Sequence, residues 1–483
     1  MVRHWRLLLT YLILMSAGVA FRWPSMSYSL LEAHYARQTY TAMMVREYMT
    51  GGVWQLSPLP LFGPPWQLPH EFPLFQWLAA VGGLVTGAAP QIAARLAALG
   101  FFLITAVFAA HLAHRWFGRA AGLITMALFM FVPFAYQWGN APLIEFLATA
   151  GALLAVIATD RWVRQPRIVW LGVATVGWSV SFLVKPFTAM AMVLLAVAVA
   201  VNWERVDFVR ANLARALTGI PVLVGLILGL LWTSYANSYK ASDQYMSWLT
   251  TDALSKWYYG TADQRLTSET WQFIVMYSEA IFGSLLIFGA LIAFAFIRYR
   301  NVAVVAALAL ALPVGALIAT NVYFMHNYYQ AAVMPQMLMV MAAGIAAAAS
   351  FARSRTQVIA TGVTVTLLVI ATAWLSDEGK LISERTALGL YAFPLVDEIN
   401  EVVPPKAGLI MAGCDWDSAY LYLADRPGLM LRDDKLGEKV PAEWIPTDLG
   451  YLALCREGID PQGFLPPGVV LQQLSPSIFR LYQ

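Results

Sequence analysis

About eleven apolar runs, each near the ~20 residues an α-helix needs to cross the hydrocarbon core of a bilayer, recur along residues 1–375 of this chain. They cover residues 7–21, 92–113, 120–136, 143–159, 168–184, 189–201, 216–235, 273–297, 302–323, 329–352 and 358–375. Backbone in lipid must satisfy its own hydrogen bonds, so such runs fold as helices. Of 483 residues, 59% are hydrophobic and 12% are charged, against roughly 25% charged in an ordinary soluble domain. The sequence therefore describes an α-helical polytopic membrane protein with about eleven transmembrane helices. The first run has a basic start and an apolar core, but it meets Arg22, Trp23 and Pro24 rather than a small-x-small cleavage site, so it reads as an uncleaved first helix.

Arginine placement sets the expected topology. A twelfth apolar stretch starts at Phe72 and is short and Gly-rich. If it stays outside as a juxtamembrane or re-entrant helix, Arg3/Arg6, Arg115/Arg119, Arg161/Arg164/Arg167, Arg205/Arg210/Arg215, Arg298/Arg300 and Arg353/Arg355 all fall on one side. The positive-inside rule makes that side cytoplasmic. The expectation is a multi-pass protein of the cytoplasmic (inner) membrane, with its N-terminus inside and its C-terminal part extracytoplasmic. The membrane domain is residues 1–375, with large outer loops at 22–90 and 236–270. Residues 376–483 have ordinary composition, with "AGLIMAG" reading as a buried strand and "DSAYLYLA" as a helix, which fits a small extracytoplasmic α/β domain. Cys414 and Cys455 both lie there; the spacing leaves a disulfide and two free thiols equally open. The net charge of +3 comes from these sorted arginines and gives no reason to expect nucleic acid. No G-x-x-x-x-G-K-S/T loop for a nucleotide is present.

Polar residues gather on the outer side. "LLEAHYARQTYTAMMVREYM" brings Glu32, His34, Arg37 and Gln38, and a helical spacing sets Glu32 near Arg37 with His34 offset. His70 and Glu71 are bracketed by Pro69 and Pro73, which hold their backbone extended. Asn140 and Glu145, Lys185, and His326 to Tyr329 reach the same face, with Glu145 placed about one turn inside its helix. Each has a plainer reading: a solvated helix face for the Glu32 set, a helix N-terminus for Glu71, snorkelling for Lys185, an aromatic belt for "HNYY". An ionisable group at membrane depth, however, usually faces a cavity or a partner. The loop "YMSWLTTDALSKWYYG" reads as an interfacial helix and lid or as a surface anchor.

Carboxylates with Arg, Lys and His at a lipid interface suit a sugar donor carried on a lipid phosphate. Cations would neutralise the leaving phosphate while a carboxylate takes a proton from the acceptor hydroxyl. A rival from another class is a non-enzymatic lipid or glycan transporter or flippase; such proteins often carry paired repeats and broken helices, and the sequence reveals neither.

The segments "EAHYARQTYTAMMVREYMTGG", "HEFPLFQWLAA", "APQIAARLAALG", "APLIEFLATAGALLAV", "LVKPFT" and "HNYYQAAVMP", in that order over about residues 1–350, resemble the family 39 glycosyltransferases of the GT-C superfamily. These include protein O-mannosyltransferases and lipid A aminoarabinose transferases. The resemblance implies a GT-C fold, a polyprenyl-phosphate sugar donor, and a lipid, glycan or protein acceptor. It sets Glu32, where relatives carry Asp, as general base, with His34, Arg37 and Gln38 matching. It sets Glu71 as a second catalytic acid or metal ligand, beside His70. Arg37, Arg95, Lys185, His326 and Tyr329 become donor-phosphate contacts, with Asn327 in place of an Asp and Tyr40 in place of another. A divalent metal ion held by Glu71 and His326 stays open beside the metal-free reading of a pH-tuned His–carboxylate site.

Overall fold

The computed structural model describes residues 2–52, 55–201, 216–388 and 393–483; the Arg205, Arg210 and Arg215 loop lies outside them. The chain divides into two compact units, one of Met1–Tyr28, Arg95–Thr233 and Leu254–Leu388, the other of Ser29–Ala94, Ser234–Ala253 and Gly389–Gln483.

The first unit is helical, and every one of its apolar runs contains helix. Five helical segments among the described residues are long and apolar enough to cross a membrane: Trp5–Ser27, Pro90–Phe117, Glu145–Arg164, Gly219–Ala241 and Arg355–Leu375. Shorter apolar helices fill runs where the chain is punctuated. Pro133 follows an extended Val132 and closes Arg119–Phe131, because the residue before a proline is pushed out of the α region. The run 302–323 is three helices, Val302–Ala309, Ala311–Ile318 and Thr320–Met325. Pro313 has no N–H for the carbonyl four residues back, so the ladder breaks near Leu310. Ser268–Phe282 and Leu285–Arg298 meet at a 68° bend, at Gly283 with φ 78°. A broken helix is therefore present although the sequence reveals none.

Helix Glu145–Arg164 is the buried centre of this unit, with 83% of its apolar window covered, against 17% for Arg355–Leu375. It meets Ile168–Val184 backbone to backbone: a Cβ added at Gly177 would stand 2.5 Å from Gly151 O and 2.8 Å from Ala155 N. Small residues at such a crossing let membrane helices approach. Gly177→Val is therefore expected to separate the pair and cost about 1–3 kcal/mol, read as a lower melting temperature in detergent; an unchanged melting temperature would refute this contact. At the far end of the same helix, buried Asp160 accepts from Arg115, from Trp116 Nε1 at 3.3 Å and from Arg164 Nε at 3.2 Å.

The second unit carries a five-stranded sheet of order β2-β1-β3-β5-β4: β1 Leu409–Ala412, β2 Gly428–Leu431, β3 Tyr451–Leu454, β4 Val470–Gln473 and β5 Ile478–Tyr482. β1 runs parallel to β2 and β3, with Leu409 opposite Gly428 and Tyr451, and it is buried throughout, as a central parallel strand should be. β5 is antiparallel to β3 and β4. The helix after β1 is Ala419–Ala424. The loop before helix Leu74–Thr86 closes the β2 edge: Gly428 N donates to Pro60 O at 3.0 Å and Met430 N to Leu61 O at 2.8 Å. Helix Tyr35–Gly51 packs on this layer through Thr39 and Ser418, whose hydroxyls are 2.9 Å apart. Cys414 and Cys455 form a disulfide with Cα atoms 5.3 Å apart, joining the ends of two adjacent parallel strands.

Candidate active site

In the second unit the helix begins at Tyr35, so Glu32 and His34 lie in the turn before it and not on a shared helical face with Arg37. His34 is left-handed at φ 53°, and the turn is fixed by Arg37 N to His34 O at 3.0 Å and Gln38 Nε2 to Ala33 O at 2.9 Å. Glu32 is buried. Arg37 reaches across 34 residues to Glu71, donating from one terminal nitrogen to Oε1 at 2.7 Å. Gln76 Nε2 donates to the same oxygen at 2.9 Å, placed there by the first turn of helix Leu74–Thr86. Arg37 lies 4.8 Å from the Tyr40 ring, and Tyr40 meets the His70 ring edge-on at 6.5 Å. Burial acts most strongly on Glu71 and would push its carboxyl up. The charges of Arg37 and His70 with the Arg37 hydrogen bond outweigh it and hold the group at about 2. Buried Lys240, which donates to Leu249 O at 2.7 Å, adds positive potential at Glu71. Gln76 and Lys240 are contributors that sequence reading missed; only the (i, i+5) offset of Gln76 from Glu71 offered a signal.

In the first unit, Pro186 excludes Lys185 from the helix, leaving it extended between Ile168–Val184 and Pro186–Val201. Its ammonium pairs with buried Glu145 and lies 3.7 Å from the Tyr329 ring centre and 5.3 Å from that of Tyr328. Glu145 is the first residue of its helix and not a turn inside it, so the positive helix end also stabilises its charge. Asn140, just before that helix, donates Nδ2 to Ser25 Oγ at 2.8 Å. His326 stacks on Tyr329 with centroids 6.2 Å apart and planes at 20°, and Trp257 meets it edge-on at 5.7 Å. Trp257 stands on the short helix Ser255–Tyr259, within the loop expected to form a lid or anchor. Asn327 Nδ2 donates to Glu378 Oε1 at 2.6 Å, both buried, so a carboxylate is present beside this turn although its own sequence has an amide. Buried Arg95 donates to Tyr28 O at 3.3 Å.

The structure thus joins Arg37 with Glu71, and Glu145 with Lys185, Tyr329 and His326. Among the described residues no three His, Cys, Asp or Glu side chains gather as a metal-ion set, and Glu71 Oε1 already accepts from two N–H groups.

This is a polytopic α-helical membrane protein whose fold is shared with the solved structures ArnT and AglB. The profile of the dolichyl-phosphate-mannose-protein mannosyltransferase family matches residues 68–232, a segment holding Glu71, Arg95, Glu145 and Lys185. ArnT from Cupriavidus metallidurans bound to undecaprenyl phosphate is similar in structure, with TM-score 0.63, 12% identity, and 97% of each chain covered. Archaeal oligosaccharyltransferase AglB from Archaeoglobus fulgidus, in complex with an inhibitory peptide and a dolichol-phosphate, has TM-score 0.60 and 12% identity, covering 94% of this chain and 69% of its own. No curated protein matches the chain in sequence.

Proposed function

We propose that this chain is a glycosyltransferase that moves a sugar from a polyprenyl-phosphate donor to an acceptor at the outer face of the cytoplasmic membrane. The observation that carries this reading is a buried Lys185 held by Glu145 against Tyr328 and Tyr329, inside a fold whose relatives were captured with undecaprenyl phosphate and dolichol-phosphate. A buried cation paired with a carboxylate is a group suited to a lipid-borne phosphate. In the second unit Glu71, ionised and fixed, holds Arg37 in place. Glu32 takes the proton of the acceptor hydroxyl; the acceptor oxygen bonds to the anomeric carbon as the carbon–oxygen bond to phosphate breaks, and the lipid phosphate leaves with the electron pair. Lys185, Arg95 and His326, all of the first unit, stabilise that developing charge. The disulfide supports an exported second unit, since such bonds persist in oxidising compartments.

Glu32→Gln is expected to slow transfer of radiolabelled sugar from polyprenyl-phosphate donors about 10²- to 10⁴-fold, as for loss of a general base, with donor binding retained. Equal turnover in the variant would remove Glu32 from that role. The bend between Ser268–Phe282 and Leu285–Arg298 is the observation that favours a flippase instead.

A further inference from the structure

We propose that the turn bearing Trp416, together with Trp248 and Arg432, is a saccharide-binding platform, and that the acceptor presents a sugar to it. The role as acceptor site rests on the transferase reading; saccharide binding does not.

Trp416 is exposed, at 39% of its accessible surface, although it belongs to a turn held on all sides. Its neighbour Cys414 is bonded to Cys455. Asp417 accepts from Tyr35 Oη at 2.9 Å and from Ala419 N at 3.0 Å. Gly413 and Asp415 are both left-handed, at φ 83° and 54°, and for Asp415 that conformation costs free energy that the bracing must supply. A chain that fixes a strained turn and leaves an indole in water has preorganised a contact surface, so little ordering remains to oppose binding.

The surroundings specify the ligand. Trp248 meets Trp416 edge-on at 5.5 Å, and the Arg432 guanidinium lies 3.8 Å from the Trp248 ring centre. Arg432 Nε is 3.0 Å from Asp434 and 3.7 Å from Asp415, and Arg456 holds Asp433 at 2.8 Å. An apolar plane rimmed by ion-paired carboxylates and guanidiniums complements a pyranose, whose C–H face packs on the ring while its hydroxyls donate to carboxylates and accept from arginine. Asp415, Asp417, Asp433 and Asp434 outnumber Arg432 and Arg456, which disfavours a phosphate or other polyanion.

The test uses the full chain in lipid nanodiscs, because maltoside detergents carry sugar heads. It is applied to an array of immobilised mono- and oligosaccharides with peptides on the same surface, and undecaprenyl phosphate binding is measured on each preparation. The wild type is expected to be retained on saccharides. Trp416→Ala should weaken that retention about tenfold or more, as removal of a central aromatic anchor does, while Trp416→Phe keeps most of it and both variants still bind undecaprenyl phosphate. No saccharide retention by a wild type that binds undecaprenyl phosphate, retention on peptides alone, or equal saccharide retention in Trp416→Ala would overturn the platform. Saccharide retention lost on Trp416→Ala in a protein that never transfers sugar would uphold the platform and sink the transferase reading.

Discussion

Lys185→Met is expected to destabilise the chain by about 3–5 kcal/mol, because it strands the Glu145 carboxylate in the interior of a membrane protein. The two side chains expose 7% and 1% of their surfaces, so water cannot replace the lost partner. Adding Glu145→Leu should return most of the stability, since exchange of a buried ion pair for apolar groups of similar volume is often neutral or favourable. Transfer should not return with it. Melting curves in detergent and a transfer assay on the wild type and the two variants separate the two roles of Lys185. Recovery of both stability and transfer in the double variant would show that the ammonium has no part in handling donor phosphate and serves packing alone.

Arg37→Met should reverse the pH dependence that Glu71 gives to stability. In the wild type Glu71 titrates at about 2, below its ordinary 4.5. Its ionised form thus contributes about 3 kcal/mol, present in full above pH 4.5 and lost as pH falls through about 2. Between pH 5 and 8 that contribution is constant. Without Arg37, burial is left as the strongest influence and carries the carboxyl above 4.5. A raised carboxyl contributes only while protonated, so the variant should lose stability as pH rises from 4.5 toward neutrality. Melting temperatures of both proteins from pH 4 to 8 check this. Parallel profiles would mean that His70 and Lys240 hold Glu71 ionised without Arg37.

What the sequence displayed and what it hid follow from the reach of each interaction. Apolar runs and turn residues are local, so the helices, β1 and the helix after it were legible. The partner of Arg37 was not. Glu32 lies five residues away and Glu71 lies 34, and the choice depends on where the helix starts, which the left-handed His34 decides. The Asn327–Glu378 contact spans 51 residues, so an amide in "HNYY" could be read only as a missing acid. The cysteine pair was undecidable until β1 and β3 proved to be parallel neighbours. The bend at Gly283 was hidden because a glycine inside an apolar run is common where membrane helices pack.

In a transferase the sugar leaves its lipid. A polyprenyl-phosphate sugar labelled with ³H in the sugar and ³²P in the phosphate, incorporated with the purified chain and a membrane-extract acceptor in liposomes, tests it in one experiment. The expected result is ³H on the acceptor and ³²P remaining on the polyprenyl chain as a monophosphate. Both labels still joined, and moved from one leaflet to the other, would contradict it and make the protein a flippase.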